Sequence, residues 1–305
     1  MGIVLCVPAS AQEPPRFELI GANTKKRADA VLALMGFSVV PDLASSSLSI
    51  EDQEAGDPKI KMVQIAGGFT ISRSFPLYLE GGIAASRYDP EFIATDGQES
   101  REVPFKWTSI SGTAGVGWDF AIARELKLRP IANFSLGYVA SDLSVGKAVL
   151  ENIIDEELDF LDGGHLSAYG FGGSLMLDYE RYRPENEIDI ELRYTQMRLK
   201  SFETSSEGVQ GVSDIITPTL YTRYRAPTGL IVLKRSLRYV LEFSHTRYLG
   251  DQAGILGFDY LSSIGLGLEL DSSAYNIVIT RTRLVARYAF GNNVSGVSIG
   301  LAVSF

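Results

Sequence analysis

The chain has 305 residues, enough for one large domain or two small ones, and its formal net charge is −9 at pH 7. An acidic protein lacks the basic footprint that phosphate backbones require, so the charge argues against a nucleic-acid partner. The sequence contains no run of about 18 consecutive apolar residues, which excludes a transmembrane helix. These limits are compatible with a transmembrane β-barrel, whose strands are about ten residues long and only half apolar.

The first eleven residues resemble the end of a secretory signal peptide. Residues 2–7 are apolar, and Ala9, Ser10 and Ala11 form a small-x-small cleavage site before Gln12. We therefore interpret residues 1–11 as a signal-peptide remnant. Cys6 is the only cysteine in the sequence, so cleavage after Ala11 leaves a chain without disulfides or cysteine-based metal sites.

Residues 12–36 form an N-terminal segment in which residues 23–35 predict a short helix. Asn23 or Thr24 supplies an N-cap, and Gly36 supplies the stop. One helical face carries apolar side chains, namely Ala28, Val31, Leu32 and Met35. We expect this helix at the periplasmic mouth of a barrel, where it either plugs the lumen or lies beneath it.

From residue 37 to the C-terminus, apolar residues alternate with small or polar ones in recurring segments. The segments centre on residues 37–49, 60–72, 76–88, 106–121, 127–140, 166–181, 187–199, 213–225, 236–248, 258–270, 275–290 and 294–305. Short connectors alternate with longer ones, as periplasmic turns alternate with outer loops. We therefore predict an all-β fold: a single 12-stranded antiparallel transmembrane β-barrel over residues 37–305, with both chain ends in the periplasm.

The last segment has the strictest alternation in the chain. Small residues separate the apolar positions Val297, Ile299, Leu301, Val303 and Phe305. This ending resembles the C-terminal strand of bacterial outer-membrane β-barrels, in which a terminal Phe belongs to the insertion signal. The resemblance implies that the barrel assembly machinery reads this strand, with Ile299, Leu301, Val303 and Phe305 as the insertion signal.

Twelve strands, a C-terminal Phe and a helix leading into the first strand together resemble the translocator barrel of bacterial autotransporters. A helix or linker occupies the pore in that family. Autotransporters carry a large passenger before the barrel, whereas here little sequence precedes the helix. The chain looks more like the solitary, passenger-less autotransporter-type barrels of Gram-negative bacteria. This resemblance implies a bacterial outer-membrane location, in contact with outer-membrane lipids and lipopolysaccharide.

Charged residues occupy the strand positions that are predicted to face the lumen. The basic candidates are Arg223, Arg225, Arg238, Arg281, Arg283 and Arg287, and the acidic ones are Asp178, Glu180, Asp189, Glu191, Glu242 and Asp259. Further inward charges are Asp119, Lys127, Arg129, Arg193 and Glu269. Either the two signs pair and fill a narrow lumen, or they line a channel for small polar or acidic solutes. We favour pairing, because the two signs nearly balance.

Two other features of the sequence could support catalysis or metal binding. His165 and Ser167 share one strand face, which is the minimum for an activated nucleophile in an outer-membrane lipid hydrolase, but no third residue to orient the imidazole is identifiable. The acidic loop 146–164 lacks the spacing of a calcium-binding loop. We therefore predict no catalytic residues, no cofactor and no metal site.

Overall fold

The computed structural model describes residues 18–19, 32, 35–37, 46–52, 59–89, 91–95, 100–143, 165–204, 211–255, 258–271, 281–292 and 294–304. Most of the predicted N-terminal segment, the acidic loop 146–164 and Phe305 lie outside these ranges. None of the helical residues in these ranges belongs to a helix long and apolar enough to cross a membrane.

Twelve long antiparallel strands form the wall of the molecule. They are β1 (Ser46–Asp52), β2 (Lys59–Thr70), β3 (Leu77–Asp89), β4 (Ser100–Trp118), β5 (Leu126–Leu143), β6 (His165–Tyr182), β7 (Glu187–Thr204), β8 (Val212–Val232), β9 (Arg235–Arg247), β10 (Tyr260–Asp271), β11 (Arg281–Gly291) and β12 (Val294–Ser304). Four shorter strands lie beside them: Glu18–Leu19, Glu91–Thr95, Phe120–Ala123 and Leu249–Gly250. The prediction of an antiparallel all-β fold is confirmed.

The wall closes on itself, because every long strand pairs with its neighbour in the chain and β12 pairs with β1. The closing seam runs from Val294↔Asp52 to Ile299↔Ser47. Pairing of the last strand with the first closes the sheet into a ring, which is the arrangement that lets a sheet cross lipid. The twelve strands form the barrel that the alternating segments predict.

The outside of the barrel carries a belt of exposed apolar side chains. Ile65 is 67% exposed, Leu266 65% and Ile299 64%, values that water would penalise and that a lipid environment accommodates. The belt continues around the barrel through Ile83, Ile110, Val116, Phe134, Leu136, Phe171, Leu175, Leu192, Leu241, Ile264, Leu268, Leu284 and Val297. The molecule is therefore a transmembrane barrel of the outer-membrane type, as predicted.

Three residues of the predicted insertion signal, Ile299, Leu301 and Val303, lie in β12. Ile299 belongs to the exposed belt. Leu301 pairs with Leu284 of β11, and Val303 pairs with Thr282. The alternation of this strand thus continues the pairing pattern of the wall, while the role of its end as a signal stays a prediction.

Strand β7 shows where the lipid belt ends. Its outward residues Ile190, Leu192 and Tyr194 are apolar or aromatic and exposed, whereas the next outward residues are Gln196, Arg198 and Lys200. On the inward face the change is reversed, from the charged residues Glu187–Arg193 to buried Met197 and Leu199. Between Gln196 and Lys200, β7 therefore turns polar residues outward and apolar residues inward.

This boundary predicts different costs for one substitution at two outward positions. Leu266→Arg is expected to lower the free energy of unfolding by about 2–4 kcal/mol, because it brings a charge to the middle of the belt. Gln196→Arg is expected to cost about 0–1 kcal/mol, because its side chain lies beyond the belt. Urea unfolding of both variants in lipid vesicles measures the difference. Equal losses at the two positions would contradict the boundary.

Candidate functional site

The charged residues of the lumen concentrate on the inward faces of β6 to β11. Alternation along each strand sends every second side chain inward, so neighbouring strands present their charges to the same enclosed space. The paired side chains of the described lumen are Lys127, Arg129, Arg193, Arg223, Arg225, Arg238, Arg281, Arg283 and Arg287, with Glu80, Asp119, Asp178, Glu180, Glu187, Asp189, Glu242 and Glu269. The two signs nearly balance.

Glu187, the first residue of β7, is a centre of this network. Its carboxylate accepts a hydrogen bond from Arg281 of β11 at 2.6 Å and forms ion pairs with Arg225 of β8 at 3.0 Å and Arg238 of β9 at 2.7 Å. Strands β7 and β11 are four places apart in the ring of twelve. The Arg281 side chain therefore reaches across the periplasmic half of the lumen rather than along its wall.

Two further carboxylates join the arginines of β8 and β11. Asp189 accepts from Arg223 at 2.8 Å, from Arg225 at 3.0 Å and from the Tyr182 hydroxyl at 2.7 Å. Glu242 of β9 accepts from Arg287 at 2.6 Å and from the Tyr221 hydroxyl at 2.8 Å. A longer contact of 3.6 Å joins Glu242 to Arg283. Each of these arginines thus lies beside a carboxylate of another strand.

A second group crosses the other side of the lumen. Arg193 of β7 donates two hydrogen bonds to Glu80 of β3, at 2.7 and 2.9 Å, and β3 is four strands away from β7. Asn133 donates to the same carboxylate at 2.6 Å, and Ser174 lies 2.8 Å from Arg193 Nη2. Both charged side chains are buried. Fully hydrogen-bonded, bidentate geometry is what makes such a buried pair tolerable.

A third group lies near the periplasmic ends of β4 to β6. Arg129 donates to Asp119 through two nitrogens and lies 2.9 Å from Asp178. Its guanidinium also stands over the ring of Tyr78, 3.8 Å from the centroid. Lys127 donates to Glu180 at 2.5 Å at the edge of this group.

The structure brings together most of the lumen residues that the sequence predicts. All six predicted arginines and four of the predicted acids, Asp178, Glu180, Asp189 and Glu242, belong to ion pairs within the described lumen. Glu191 faces the same space, where no hydrogen-bond partner within the described residues reaches its Oε2. Asp259 is a correction: it lies before β10 at the outer rim and is exposed, because β10 begins only at Tyr260.

Sequence reasoning missed Glu80 and Glu187, which each join strands four places apart. Glu80 has the same strand parity as buried Tyr78, and Glu187 has the same parity as Asp189. This signal places both carboxylates inside the barrel. It does not identify their partners, because those lie on strands that become close only when the ring closes.

In the outer half of the lumen, apolar side chains surround the described end of the N-terminal helix. Leu32 and Met35 are fully buried. Any side chain at Gly137 of β5 would collide with Met35, and one at Gly36 would collide with Ile215 of β8. Inward Leu166 and Leu199 are fully buried at the outer ends of β6 and β7. The described helical residues thus meet both sides of the lumen.

The helix lies at a different level from the one predicted. The Phe37 ring packs 4.4 Å from Tyr248 and 5.9 Å from Phe258, beside the outer loop between β9 and β10. Glu18–Leu19 pairs with Ala94 and Thr95 in the outer hairpin between β3 and β4. The expected positions of the helix and of the N-terminal part at the periplasmic mouth are therefore wrong. The lumen is charged at that mouth and apolar at the outer one, so the outer half fits an apolar helix face.

The two histidines lie on the lipid-facing side near the outer rim. The His165 ring stacks on Tyr138 with centroids 5.9 Å apart, and Ser167 is only 9% exposed. His245 Nδ1 lies 2.8 Å from Ser262 Oγ, a contact that the β9–β10 register creates and sequence spacing conceals. Ser262 is only 6% exposed. A lipid ester therefore has little access to either hydroxyl.

Comparisons with known proteins agree with this architecture. No family model matches the chain, and no curated protein matches it. Among solved structures, the β domain of the Bordetella autotransporter BrkA is 13% identical with a TM-score of 0.48, covering 85% of this chain and 96% of that one. The translocator domain of the autotransporter NalP from Neisseria meningitidis is 12% identical with a TM-score of 0.44, covering 85% and 86%.

The KdgM porin, solved with disordered oligogalacturonate, is 9% identical with a TM-score of 0.36, covering 85% of this chain and 99% of that one. The chain is thus similar to autotransporter domains, as the sequence resemblance predicted, and to a porin. Because these TM-scores are below 0.5, the barrel assignment rests on the strand pairing and the belt described above.

The Arg193–Glu80 pair generates a stability prediction. Glu80→Gln is expected to lower the free energy of unfolding by about 3–5 kcal/mol, because it leaves the buried Arg193 guanidinium without a counter-charge. The double variant Arg193→Met, Glu80→Leu is expected to recover most of that loss, because it removes both charges. Lys127→Met is the control, since the partly exposed pair with Glu180 contributes only about 0–1 kcal/mol. Urea unfolding in lipid vesicles measures all three. A Glu80→Gln loss no larger than the control would contradict the assignment.

Proposed function

We propose that the chain is an outer-membrane β-barrel of the autotransporter translocator type without a passenger, whose lumen is narrowed by the N-terminal helix and by paired charges. One observation carries the proposal: the described helical residues Leu32, Met35 and Gly36 are buried in the outer half of the lumen, and Glu18–Leu19 pairs with an outer hairpin. A buried apolar segment in the lumen would obstruct the flow of polar solutes through a channel.

The charged half of the lumen supports the same proposal. Arg281–Glu187 and Arg193–Glu80 span the lumen in two directions from β7, and both pairs are short. Ion pairs that already satisfy each other offer little net charge to a passing solute. The two halves of the lumen therefore restrict passage by different means. Apolar helical side chains fill the outer half, and a network of ion pairs crosses the periplasmic half.

Planar-bilayer conductance tests the proposal. The intact chain is expected to conduct little, because the helix blocks the outer half of the lumen. Deletion of residues 12–35 is expected to raise the conductance, since it removes Leu32 and Met35 from their sites against β5 to β8. The double variant Leu32→Asp, Met35→Asp is a milder version of the same change. It keeps the chain length and is expected to increase the frequency of opening.

Two outcomes would contradict the plugged barrel. A large, stable, ion-selective conductance in the intact chain would favour the alternative, a 12-stranded channel for small polar or acidic solutes. Unchanged conductance after deletion would show that the helix is not the obstruction. Gln196→Ala is a matched control, because its side chain lies outside the barrel and should leave both conductance values unchanged.

We also propose that the barrel is not an enzyme. The burial of Ser167 and Ser262 supports this, because an activated hydroxyl must reach a lipid ester. Purified barrel is expected to release no fatty acid from phospholipid or lipid A. A measurable release that disappears in Ser167→Ala or Ser262→Ala would make the protein an outer-membrane lipid hydrolase instead.

A further inference from the structure

The hairpin between β8 and β9 extends beyond the periplasmic end of the wall. Pairing of β8 with β7 ends at Arg225↔Glu187, and pairing of β9 with β10 ends at Leu237↔Leu270. Beyond a bulge, β8 and β9 continue only with each other, through Ile231↔Ser236 and Val232↔Arg235. The tip of this hairpin is thus a two-stranded ribbon without a neighbouring wall strand within the described residues.

The ribbon exposes four consecutive large apolar side chains. Leu230 is 61% exposed, Ile231 76%, Val232 42% and Leu233 69%. Alternation places Leu230 and Val232 on one face and Ile231 on the other, and Leu233 lies in the turn at the tip. The turn Arg183–Asn186 between β6 and β7 is polar by contrast. Exposed apolar surface of this kind marks a site of interaction.

The turn at the tip of the hairpin also contains residues that are unusual for its backbone conformation. Leu233 and Lys234 both adopt positive φ, at 50° and 62°, in a two-residue turn. Asn-Gly is the sequence that normally occupies such positions, because a side chain crowds this backbone. A leucine in this position strains the backbone of the turn and exposes an apolar side chain. This combination is expected if the side chain has a function.

We propose that the hairpin Leu230–Arg235 inserts into the periplasmic leaflet of the membrane as an interfacial anchor for anionic phospholipid. The hairpin follows the outward tyrosines Tyr224 and Tyr239, whose ring centroids lie 6.0 Å apart and which have the amphipathic rings favoured in the headgroup region. Its surface is therefore continuous with the lipid-facing surface. Because both faces of the ribbon are apolar, lipid acyl chains can surround both faces together. A bound protein strand would cover only one edge or one face of the ribbon.

Lys234 and Arg235 supply the charge that this partner requires. They follow directly after the apolar residues and complement the phosphates of anionic lipid headgroups. Apolar side chains beside two cations are the composition of an interfacial membrane anchor. The hairpin lies on the lipid-facing side of the barrel at its periplasmic end, so its role does not depend on whether the lumen is plugged.

A site-specific fluorescent probe tests the anchor in the full-length chain. Cys6→Ser removes the only cysteine, and Ile231→Cys then carries an environment-sensitive dye. The matched control carries the same dye at Glu185→Cys, in the polar turn between β6 and β7. Both variants are folded into vesicles of phosphatidylethanolamine with phosphatidylglycerol, and heat-modifiable migration verifies that the barrel is intact.

We expect the dye at position 231 to be quenched by nitroxide-labelled lipid, and its quenching by iodide to be several-fold weaker than at position 185. Adding Lys234→Gln and Arg235→Gln should reduce this protection, as should vesicles of phosphatidylcholine alone. Equal iodide quenching at the two positions would overturn the proposal. Protection that occurs in native outer-membrane fragments but not in lipid vesicles would also overturn it, and would assign the hairpin to a protein partner.

Discussion

Closure of the sheet between β12 and β1 is the constraint on which the rest of the molecule depends. In lipid, every backbone amide and carbonyl needs a partner within the protein, and only a closed ring of strands supplies one for each. The seam is short, from Val294↔Asp52 to Ile299↔Ser47, but it joins the last strand to the first. Once the ring is closed, strand alternation divides all side chains between a lipid face and an enclosed lumen.

The lumen replaces the hydrophobic core of a soluble domain with two different fillings. Its periplasmic half is held by charges, and β7 connects both sides because Glu187 reaches arginines on β8, β9 and β11 while Arg193 reaches Glu80 on β3. Such pairs restrict the relative positions of distant strands, because separating the partners would leave a buried charge without its counter-charge. The network therefore defines the cross-section of the barrel as well as its polarity.

The outer half of the lumen is filled by apolar packing instead of ion pairs, which explains the position of the helix. Beyond Thr195, β7 turns polar residues outward and apolar residues inward, so its end needs an apolar partner inside the barrel. Leu32 and Met35 supply that partner, and Phe37 joins the aromatic cluster with Tyr248 and Phe258. The proposed translocator-type function and the stability of the outer rim thus depend on the same few helical side chains.

The sequence by itself determined the number of wall strands, the direction of most of their side chains and the membrane environment, because alternation is a local property that each strand carries. It also identified all six lumen arginines. Only the tertiary structure decided which charges meet: Arg193 and Glu80 are 113 residues apart, and His245 meets Ser262 only through strand register. The level of the helix, the exposure of Asp259 and the projection of the β8–β9 hairpin were likewise decided there. Each of them depends on where neighbouring strands begin and end around a closed ring, and no single segment of sequence contains that information.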